Sequence, residues 1–436
     1  MLDVNAQRVT VMGLGRFGGG EGLVHWLLEQ GADVLVSDTA DAEVINPVLD
    51  RLEACTGRRP AFGGCGHVPA HFTETDLVVV NPAVPHPWSN PSLALAAEAG
   101  VPCTSAMRLL IERLPNRHRV IGITGTVGKS TTASMVHHCL CAMGFDARLG
   151  GNIGGSLLPE LSTITPDTRI ILELSSAQLH WLNAGDDWPG WSPATAVTTN
   201  IAPNHLDWHG DEAHYRQCKQ VLTAFQQDGD HVLCSDADAH DLPPINLRVP
   251  GAHNQANARL AVATCVAAEG VDPVEAAAAL ADFPGLPHRL QPVDAGPMPR
   301  FWNDAKSSAP EATLLALQAF HDRLNTVHLL AGGYDKGVSL DAVAAQAPHL
   351  AGLYGYGATG GALVETGSTN ASVYDTLDQA FAAALSHMGE DDILLLSPGC
   401  ASWDQFSDFR ARGARFLQLV RAASDGNEHG PMAVGQ

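Results

Sequence analysis

The strongest constraint on the fold of this chain is a glycine-rich run, residues 125–131, that separates an apolar stretch from a helical pattern. The apolar stretch, residues 120–123, has the composition of a buried strand, and apolar residues recur on one helical face from Met135 to Met143. A glycine turn between a strand and a helix directs backbone N–H groups and the positive end of the helix at one place, which suits a phosphate group. The sequence therefore predicts an α/β fold with a phosphate-binding loop at the end of a strand.

The side chains of this run supply the chemistry that a nucleoside triphosphate requires. Lys129 provides a mobile cation for the β- and γ-phosphate oxygens, and the hydroxyl of Ser130 is a hard oxygen ligand for Mg²⁺. The spacing departs from a strict Walker A motif, because Ile123 rather than a glycine lies five positions before Gly128. A turn that binds nothing is the alternative, but the strand–loop–helix context favours ATP binding. The predicted ATP-binding residues of the run are Gly125, Thr126, Val127, Gly128, Lys129, Ser130 and Thr131.

Composition argues against several classes of partner. Asp and Glu outnumber Lys and Arg by 47 to 25, which gives a formal charge of −22, and no basic cluster stands out. We therefore expect no nucleic-acid partner and no membrane partner. The nine cysteines lack metal-finger or CxxC spacing, which is typical of reduced thiols. Because neither a signal-peptide pattern nor a membrane-length apolar stretch is found, the sequence predicts a cytoplasmic protein.

The length of the chain, 436 residues, exceeds what one hydrophobic core supports, so two or three domains are expected. Strand-like stretches alternate with helical ones, which favours parallel βαβ sheets. We predict a first domain at 1–105, a central domain at 106–289, a third domain at 290–423 and a disordered tail at 424–436. The predicted strands are residues 9–12, 34–38, 77–80, 170–174, 194–199, 327–330, 353–356 and 393–397.

A second glycine motif, Gly13-x-Gly15-x-x-Gly18, follows the first predicted strand, and Asp38 ends the next strand 20 residues later. This pattern fits the dinucleotide-binding fingerprint, in which an acidic residue binds the ribose. From the residues alone it leaves three alternatives: NAD binding, binding of another nucleotide, or a tight structural turn. A chain with both glycine motifs is either an NAD-dependent dehydrogenase with an accessory ATPase domain or an enzyme that consumes ATP.

A series of short signatures, each weak alone, follows along the chain. They are Gly13-Leu-Gly15, Asn81-Pro-Ala-Val, the run 124–132, Gly151-Asn-Ile-Gly154, residues 173–178, Asn204-His-Leu-Asp207, residues 215–219, residues 251–258, Leu286-Pro-His-Arg289, residues 303–306 and residues 397–406. In this order, up to about residue 420, they resemble the Mur ligases, most closely those that add glutamate to UDP-N-acetylmuramoyl-L-alanine. The signature Asp-Asn-Pro-Arg of the diaminopimelate-adding relative is absent.

The resemblance implies three α/β domains: a Rossmann-like domain that binds the UDP substrate, a central P-loop-like ATP-binding domain with a parallel sheet, and a Rossmann-like C-terminal domain that binds the amino acid. It implies ATP-dependent amide-bond formation that adds D-glutamate to UDP-N-acetylmuramoyl-L-alanine through an acyl phosphate, in cytoplasmic peptidoglycan precursor synthesis. The first glycine motif would then hold UDP and not NAD. A monomer is expected, and all expected partners are small molecules.

Other activities remain open at this point. A sister ligase that adds L-glutamate or another amino acid is the nearest alternative, because stereochemistry depends on the shape of the binding site. A folylpolyglutamate synthetase-like enzyme is disfavoured, since those relatives lack a first segment of this kind. A dehydrogenase would leave His205 and Lys219 unexplained, and a non-catalytic binding protein would not require them.

The resemblance also implies a catalytic and metal-binding set. Ser130 and Glu173 would hold one Mg²⁺, and a lone glutamate inside an apolar strand is costly to bury unless it is paired or metal-bound. His205 and Lys219 would hold a second Mg²⁺, with Lys219 converted by CO₂ into a carbamate. Lys129, His205 and Lys219 are the predicted catalytic residues.

Contacts to the substrates are implied in the same way. Asn254 and Asn257 match positions at the adenine, and Arg289 and Asp304 match contacts to phosphate and ribose. The predicted UDP-substrate contacts are Gly15, Arg16, Asp38, Thr39, Asn152, Ser175 and Gln178. The predicted glutamate contacts are Ser308, Lys336, Ser402 and Phe409, and Ala305 and Trp403 depart from the common residues beside them.

Overall fold

The computed structural model describes residues 2–15, 18–185, 188–234, 242, 245–293, 300–364 and 368–427. Within these residues, helices alternate with the strands of three sheets, and nearly every pair of neighbouring strands is parallel. This arrangement confirms the predicted α/β class.

The first sheet contains β1 (Arg8–Met12), β2 (Asp33–Asp38), β3 (Ala61–Cys65), β4 (Leu77–Val80) and β5 (Cys103–Ser105). The helices along this part of the chain are α1 (Gly19–Glu29), α2 (Ala42–Thr56), α3 (Ala70–Thr73), α4 (Pro91–Glu98) and α5 (Ala106–Ile111). The strand order is β3-β2-β1-β4-β5, with all pairs parallel. The order reverses between β1 and β4, and in open parallel sheets ligands bind outside the carboxyl ends of the strands at such a point.

The second sheet contains β6 (Val120–Thr124), β7 (Ala147–Gly151), β8 (Arg169–Glu173), β9 (Thr195–Thr198) and β10 (His231–Cys234). The helices along this part are α6 (Lys129–Ala142), α7 (Ser176–His180), α8 (Leu206–His209), α9 (Glu212–Ala224), α10 (Ala252–Glu269) and α11 (Pro273–Ala279). The strand order is β10-β9-β6-β8-β7, again parallel throughout. Every residue of β6 is buried, as expected for a central strand covered on both faces.

The third sheet contains β11 (Gln291–Pro292), β12 (Phe301–Asn303), β13 (Val327–Gly332), β14 (Gly352–Tyr356), β15 (Ala371–Tyr374) and β16 (Ile393–Leu396). Its helices are α12 (Pro310–Gln318), α13 (Asp341–Ala344), α14 (Gly360–Val364), α15 (Leu377–His387) and α16 (Phe409–Asn427). The strand order is β11-β12-β16-β13-β14-β15, and only the described pair β11–β12 is antiparallel.

The chain forms two compact units. The first comprises Met1–Ile245 and Ala256–Leu280 and contains the first two sheets, and the second comprises Asn246–Gln255 and Ala281–Gln436 and contains the third. The predicted boundaries of three domains remain a prediction.

The end of the chain differs in part from the predicted disordered tail. Helix α16 continues to Asn427, so residues 424–427 of the predicted disordered tail are helical, and residues 428–436 lie outside the described residues. The hydroxyl of Ser424 donates to the carbonyl of Val420, one turn earlier in the helix. No helix in the described part of the chain is long and apolar enough to cross a membrane.

Candidate active site

The phosphate loop follows β6 and leads directly into α6. Gly125 has φ 145° and Gly128 has φ 88°, and a Cβ on Gly125 would lie 1.9 Å from Oγ1 of Thr199. Only glycine therefore fits at the first of these positions. Helix α6 begins without a side-chain cap on its N-terminus. Its first backbone N–H groups are directed as an anion-binding loop requires.

The loop is fixed from the neighbouring strand end by Asn200. The amide oxygen of Asn200 accepts from the backbone N–H of Val127 at 3.0 Å, and its amide nitrogen donates to the Val127 carbonyl at 2.8 Å. The hydroxyl of Thr126 lies 2.8 Å from the hydroxyl of Tyr215 on α9. Sequence reasoning did not assign these roles to Asn200 and Tyr215. The signal for Asn200 was a polar residue just after the strand beside β6.

Lys219 on α9 reaches the start of the phosphate loop. Its side chain is buried, and Nζ donates to the carbonyl of Gly125 at 2.8 Å and to the hydroxyl of Thr124 at 3.2 Å. Burial, and then the positive charge of Lys129, lowers the pKa of Lys219 to about 7. The amine is therefore partly neutral near neutral pH, unlike an ordinary surface lysine.

Glu173 ends β8 beside Ile123 of β6, and it is only 1% exposed. Its Oε1 accepts a hydrogen bond from the side-chain amide of Asn152 at 3.0 Å, whereas Oε2 is buried and has no partner among the described residues. A buried carboxylate oxygen without a donor is destabilising unless a cation satisfies it. The donor chemistry at this position therefore fits Mg²⁺, which prefers oxygen ligands.

Lys129 and His205 complete the group of predicted catalytic residues. Nζ of Lys129 donates to the carbonyl of Thr126 at 2.9 Å. His205 lies before α8 with φ 52°, and its pKa is lowered first by desolvation and then by the charges of Lys129 and Lys219. The first compact unit thus brings Lys129, Lys219, Glu173 and His205 to the carboxyl end of the second sheet.

The first glycine motif forms a turn held by Asp38. One carboxylate oxygen of Asp38 accepts from the N–H of Leu14 at 2.7 Å and the other from the N–H of Ala40 at 2.9 Å. Gly15 has φ 74°, and a Cβ there would lie 2.8 Å from the amide nitrogen of Asn81. Thr39 is exposed beside this turn, and Arg16 lies outside the described residues.

Three predicted contacts to the UDP substrate make hydrogen bonds within the chain. Ser175 and Gln178 form a capping box at the start of α7, in which each side chain accepts from the other residue's backbone N–H. Asn152 uses its side-chain amide on Glu173. The capping box has a local signature, a serine followed three residues later by a glutamine, that identifies it in the sequence.

The predicted ATP contacts are divided between the two units. In the first unit, Asn257 lies at the phosphate loop, because a Cβ on Gly128 would approach its amide oxygen to 2.6 Å. In the second unit, the buried side-chain amide of Asn254 donates to the Pro250 carbonyl at 2.7 Å. Arg289 is exposed in the same unit.

Asp304 in the second unit is buried and accepts hydrogen bonds from the chain on both oxygens. The donors are the backbone N–H of Leu290 and the hydroxyl groups of Ser307 and Ser397. Burial raises the pKa of Asp304 to about 6. These hydrogen bonds join the start of the third sheet to the end of β16, which is a role that the sequence did not indicate.

Two loops of the predicted glutamate site meet in the second unit. Tyr334 and Ala401 form a β-bridge, and Nζ of Lys336 lies 5.2 Å from the ring centre of Trp403. Ser402, which lies between Ala401 and Trp403 in the sequence, is buried, whereas Ser308 is exposed. The ring of Phe409 lies 4.0 Å from Nζ of Lys306.

Comparison with known proteins first defines the class. Residues 123–242 match the Mur ligase middle domain. The UDP-N-acetylmuramate–alanine ligase of Thermotoga maritima superposes with a TM-score of 0.62 at 18% identity, covering 96% of this chain and 100% of that one. The MurF ligase of Thermotoga maritima gives 0.55 at 13% identity, covering 98% and 96%. The fold is therefore that of a Mur ligase.

Relatives of known activity narrow the assignment. UDP-N-acetylmuramoylalanine–D-glutamate ligases from Roseiflexus sp. (strain RS-1) and Pelotomaculum thermopropionicum are each 30% identical, covering 97% and 98% of this chain and 100% of each relative. The corresponding ligase of Novosphingobium aromaticivorans is 33% identical, covering 97% of this chain and 96% of its own. The chain belongs to this family of Mur ligases, which confirms the resemblance found in the sequence and does not favour the dehydrogenase alternative.

Proposed function

We propose that this protein joins D-glutamate to UDP-N-acetylmuramoyl-L-alanine in an ATP-dependent step of peptidoglycan precursor synthesis. The observation that carries the proposal is the convergence of Lys129, Lys219 and Glu173 at the end of β6, in a chain whose full-length relatives are D-glutamate ligases. The carboxylate of the UDP-linked substrate attacks the γ-phosphate of ATP, releasing ADP and leaving an acyl phosphate. The amine of D-glutamate then attacks the acyl carbon, and inorganic phosphate leaves.

The first step joins two anions, so it requires positive charge and positioning. Lys129 and the N–H groups at the start of α6 would bind the phosphates. Ser130 and Glu173 would hold Mg²⁺, which would neutralise negative charge on the triphosphate. The unpartnered Oε2 of Glu173 supports this assignment.

We further propose that Lys219 carries a carbamate formed from CO₂ and shares a second Mg²⁺ with His205. Attack on CO₂ requires a neutral amine, and the buried position of Lys219 favours that form. An ammonium group would repel a metal ion, whereas a carbamate oxygen is a hard anionic ligand. The charge of the residue must therefore change from positive to negative before it can act.

The remaining substrate contacts are proposed from the family positions. The turn at Gly15, Arg16, Asp38 and Thr39 would receive the UDP group, and Asn152, Ser175 and Gln178 would lie along the muramoyl part. The exposed ammonium of Lys336 is suited to a glutamate carboxylate, with Ser308, Ser402 and Phe409 nearby in the family pattern. We assign these roles to three domains, 1–105, 106–289 and 290–423, of a cytoplasmic monomer.

Phosphate release with the purified protein tests the proposal. The assay contains ATP, Mg²⁺, UDP-N-acetylmuramoyl-L-alanine and either D-glutamate or L-glutamate, with each component omitted in turn. We expect release to require the UDP-linked substrate and D-glutamate, and L-glutamate not to replace it. Phosphate release in the absence of the UDP-linked substrate or of glutamate would contradict the proposal. Release that occurs with L-glutamate but not with D-glutamate would also contradict it.

A pair of variants links the activity to the site. Glu173→Gln keeps an oxygen for the amide of Asn152 but removes the charge that Mg²⁺ requires, so kcat should fall at least ~100-fold. Glu275→Gln, at an exposed position on α11, is the control and should retain normal activity. Equal activity of the two variants would argue against the metal-binding role of Glu173.

A further inference from the structure

Helices α7 and α9 bring two histidines and a cysteine together beside the predicted active site. His180 ends α7, and His214 and Cys218 lie one turn apart on α9. The sulfur of Cys218 is 3.6 Å from Nε2 of His214 and 4.0 Å from Nδ1 of His180. One ligand atom from each residue lies within 4.8 Å of the other two. None of these residues has a role in the proposed ligase reaction.

The two distances to the Cys218 sulfur are close to those of a tetrahedral metal site. With Zn–S at about 2.3 Å and Zn–N at about 2.0–2.1 Å, a sulfur and a nitrogen ligand lie roughly 3.5 Å apart. The separation between Cys218 and His214 already has this value, and that between Cys218 and His180 requires a shift of about half an ångström. Three protein ligands leave the fourth position for water.

A hydrogen-bonded chain orients the His214 ring for such a role. Nδ1 of His214 lies 2.9 Å from Nδ1 of His209, and Nε2 of His209 lies 2.8 Å from the hydroxyl of Ser176. If Nε2 of His214 presents its lone pair to a metal, Nδ1–H donates to His209, and Nε2–H of His209 donates to Ser176. Both ring N–H groups in this chain then have an acceptor, which is the arrangement that supports metal-bound histidines.

Aromatic rings pack against the two histidines of the cluster. The ring of Trp88 lies 4.3 Å from His214 and 5.6 Å from His180, and the ring of Trp208 lies 5.7 Å from His180. Burial lowers the pKa of His180 to about 4, which keeps its ring neutral, but it also raises the pKa of the Cys218 thiol to about 12, so that only a bound metal ion would produce the thiolate near neutral pH. Nitrogen and sulfur donors favour zinc over magnesium.

We propose that His180, His214 and Cys218 form a zinc-binding site, distinct from the proposed Mg²⁺ sites, that ties α7 to α9. Binding converts the Cys218 thiol to a thiolate, and its proton passes to solvent. The site does not depend on the proposed ligase activity, because its ligands are separate residues. Occupancy would fix the helix that carries Gln178 relative to the helix that carries Lys219.

The matched control for this site is a second histidine–cysteine pair. His137 and Cys141 on α6 have the same spacing of four residues, with the Cys141 sulfur 3.5 Å from Nε2 of His137, but they have no third ligand among the described residues. Cys141→Ala therefore removes a similar pair without touching the proposed site. Cys218→Ala removes one ligand, and His180→Phe removes another while keeping an aromatic ring in place.

Zinc affinity of the tag-free, reduced full-length protein is measured by competition with a chromophoric chelator, and thiolate ligation is read from the absorption of the Co²⁺-loaded protein. We expect one Zn²⁺ per chain, a sulfur-to-cobalt charge-transfer band, and unchanged affinity in Cys141→Ala. Affinity should fall at least ~100-fold in Cys218→Ala and in His180→Phe, since even outer-shell partners contribute ~10–100-fold. Unchanged affinity in either of these variants, or cobalt binding without the thiolate band, would overturn the proposal. Should Cys218→Ala fail to fold, the wild-type cobalt spectrum and His180→Phe decide the question.

Discussion

The charge on the Lys219 nitrogen determines what the phosphate loop can hold. In its amine form Nζ donates to the carbonyl of Gly125 and the hydroxyl of Thr124 at the base of the loop. As a carbamate it would instead present oxygen atoms to a metal ion. If Lys219 has only a structural role, the same substitutions should have different effects on activity than if it carries a carbamate.

We expect Lys219→Ala to lower kcat at least ~100-fold, because a ligand of the second metal ion is lost. A short carboxylic acid such as formate or acetate should restore part of the activity by occupying the gap, and Lys219→Arg should stay inactive because it keeps a positive charge. Gln220→Ala, at the exposed next position on α9, is the control and should behave as wild type. Full activity of Lys219→Arg would rule out the carbamate.

Asp304 should make stability depend on pH. Its pKa in the folded protein is raised to about 6 from an ordinary 3.8, so the folded state binds more protons than the unfolded state between these values. The free energy of unfolding should therefore fall as pH rises from about 4 to about 6. Asp304→Asn should remove this component, so that the melting temperature of the wild type falls relative to that of the variant as pH rises from about 4 to about 6.

Asp322→Asn is the control for this experiment, because its carboxylate is largely exposed. It should follow the wild-type melting temperature across the whole range. If the melting temperatures of wild type and Asp304→Asn change in parallel with pH, the buried carboxylate does not contribute to the pH dependence of stability.

Glu173 and Asp304 also show which features of a residue can be predicted from the local sequence and which cannot. The apolar neighbours of Glu173 indicate a strand in which a carboxylate is costly to bury unless it is paired or metal-bound, and in the structure Glu173 ends β8 and is buried. The donors to Asp304 come from positions 14 and 93 residues away as well as from Ser307, so its burial depends on tertiary packing that no local pattern reveals. The metal-binding role of Glu173 and the ATP contact of Asp304 remain predictions.

Glycines in the loop and in a helix should respond in opposite ways to the same substitution. Gly125→Ala forces a Cβ to within 1.9 Å of Thr199 at a backbone angle that alanine rarely adopts, so the loop must deform. We expect it to lower ATP affinity at least ~10-fold and to destabilise the protein by roughly 1–3 kcal/mol. Gly361→Ala in α14 meets open space and should be neutral or stabilising by up to ~1 kcal/mol.

Isothermal titration with ATP and thermal unfolding measure these two effects. Normal ATP affinity in Gly125→Ala would mean that the loop tolerates the side chain and that its glycine is not required.

The bounds of secondary structure elements were predicted well for short apolar stretches that form buried strands. Strand β4 has the predicted bounds, and β16 ends one residue earlier than expected. The alanine-rich stretch 340–347 forms only a short helix, Asp341–Ala344, because Pro348 has no N–H to donate to the carbonyl of Ala344, and a 3₁₀ helix follows at Ala347–His349. Helix α16 contains the buried residues Phe416 and Val420 and continues to Asn427, four residues into the stretch that was predicted to be disordered.

At the scale of the molecule, each compact unit has its own sheets and its own buried clusters. A large cluster around Val11, Leu27 and Leu172 belongs to the first unit, and clusters around Leu329 and Leu396 belong to the second. We therefore expect calorimetry of the full chain to show two unfolding transitions. Gly125→Ala should lower only one of them, and Gly361→Ala should affect only the other. A single transition that shifts with both variants would contradict this division.

The second unit includes residues 246–255, which lie in the chain between the two segments of the first unit. Within that unit, Arg248 pairs with Asp282, and Val249 lies against Gly285. On the ribosome these ten residues emerge before the residues that they contact in the second unit. At about 5–20 residues per second, synthesis of the chain from Val249 to Gly285 takes roughly 2–7 s. During translation the apolar side chain of Val249, which is 4% exposed in the folded protein, is therefore in contact with water until Gly285 has been synthesised.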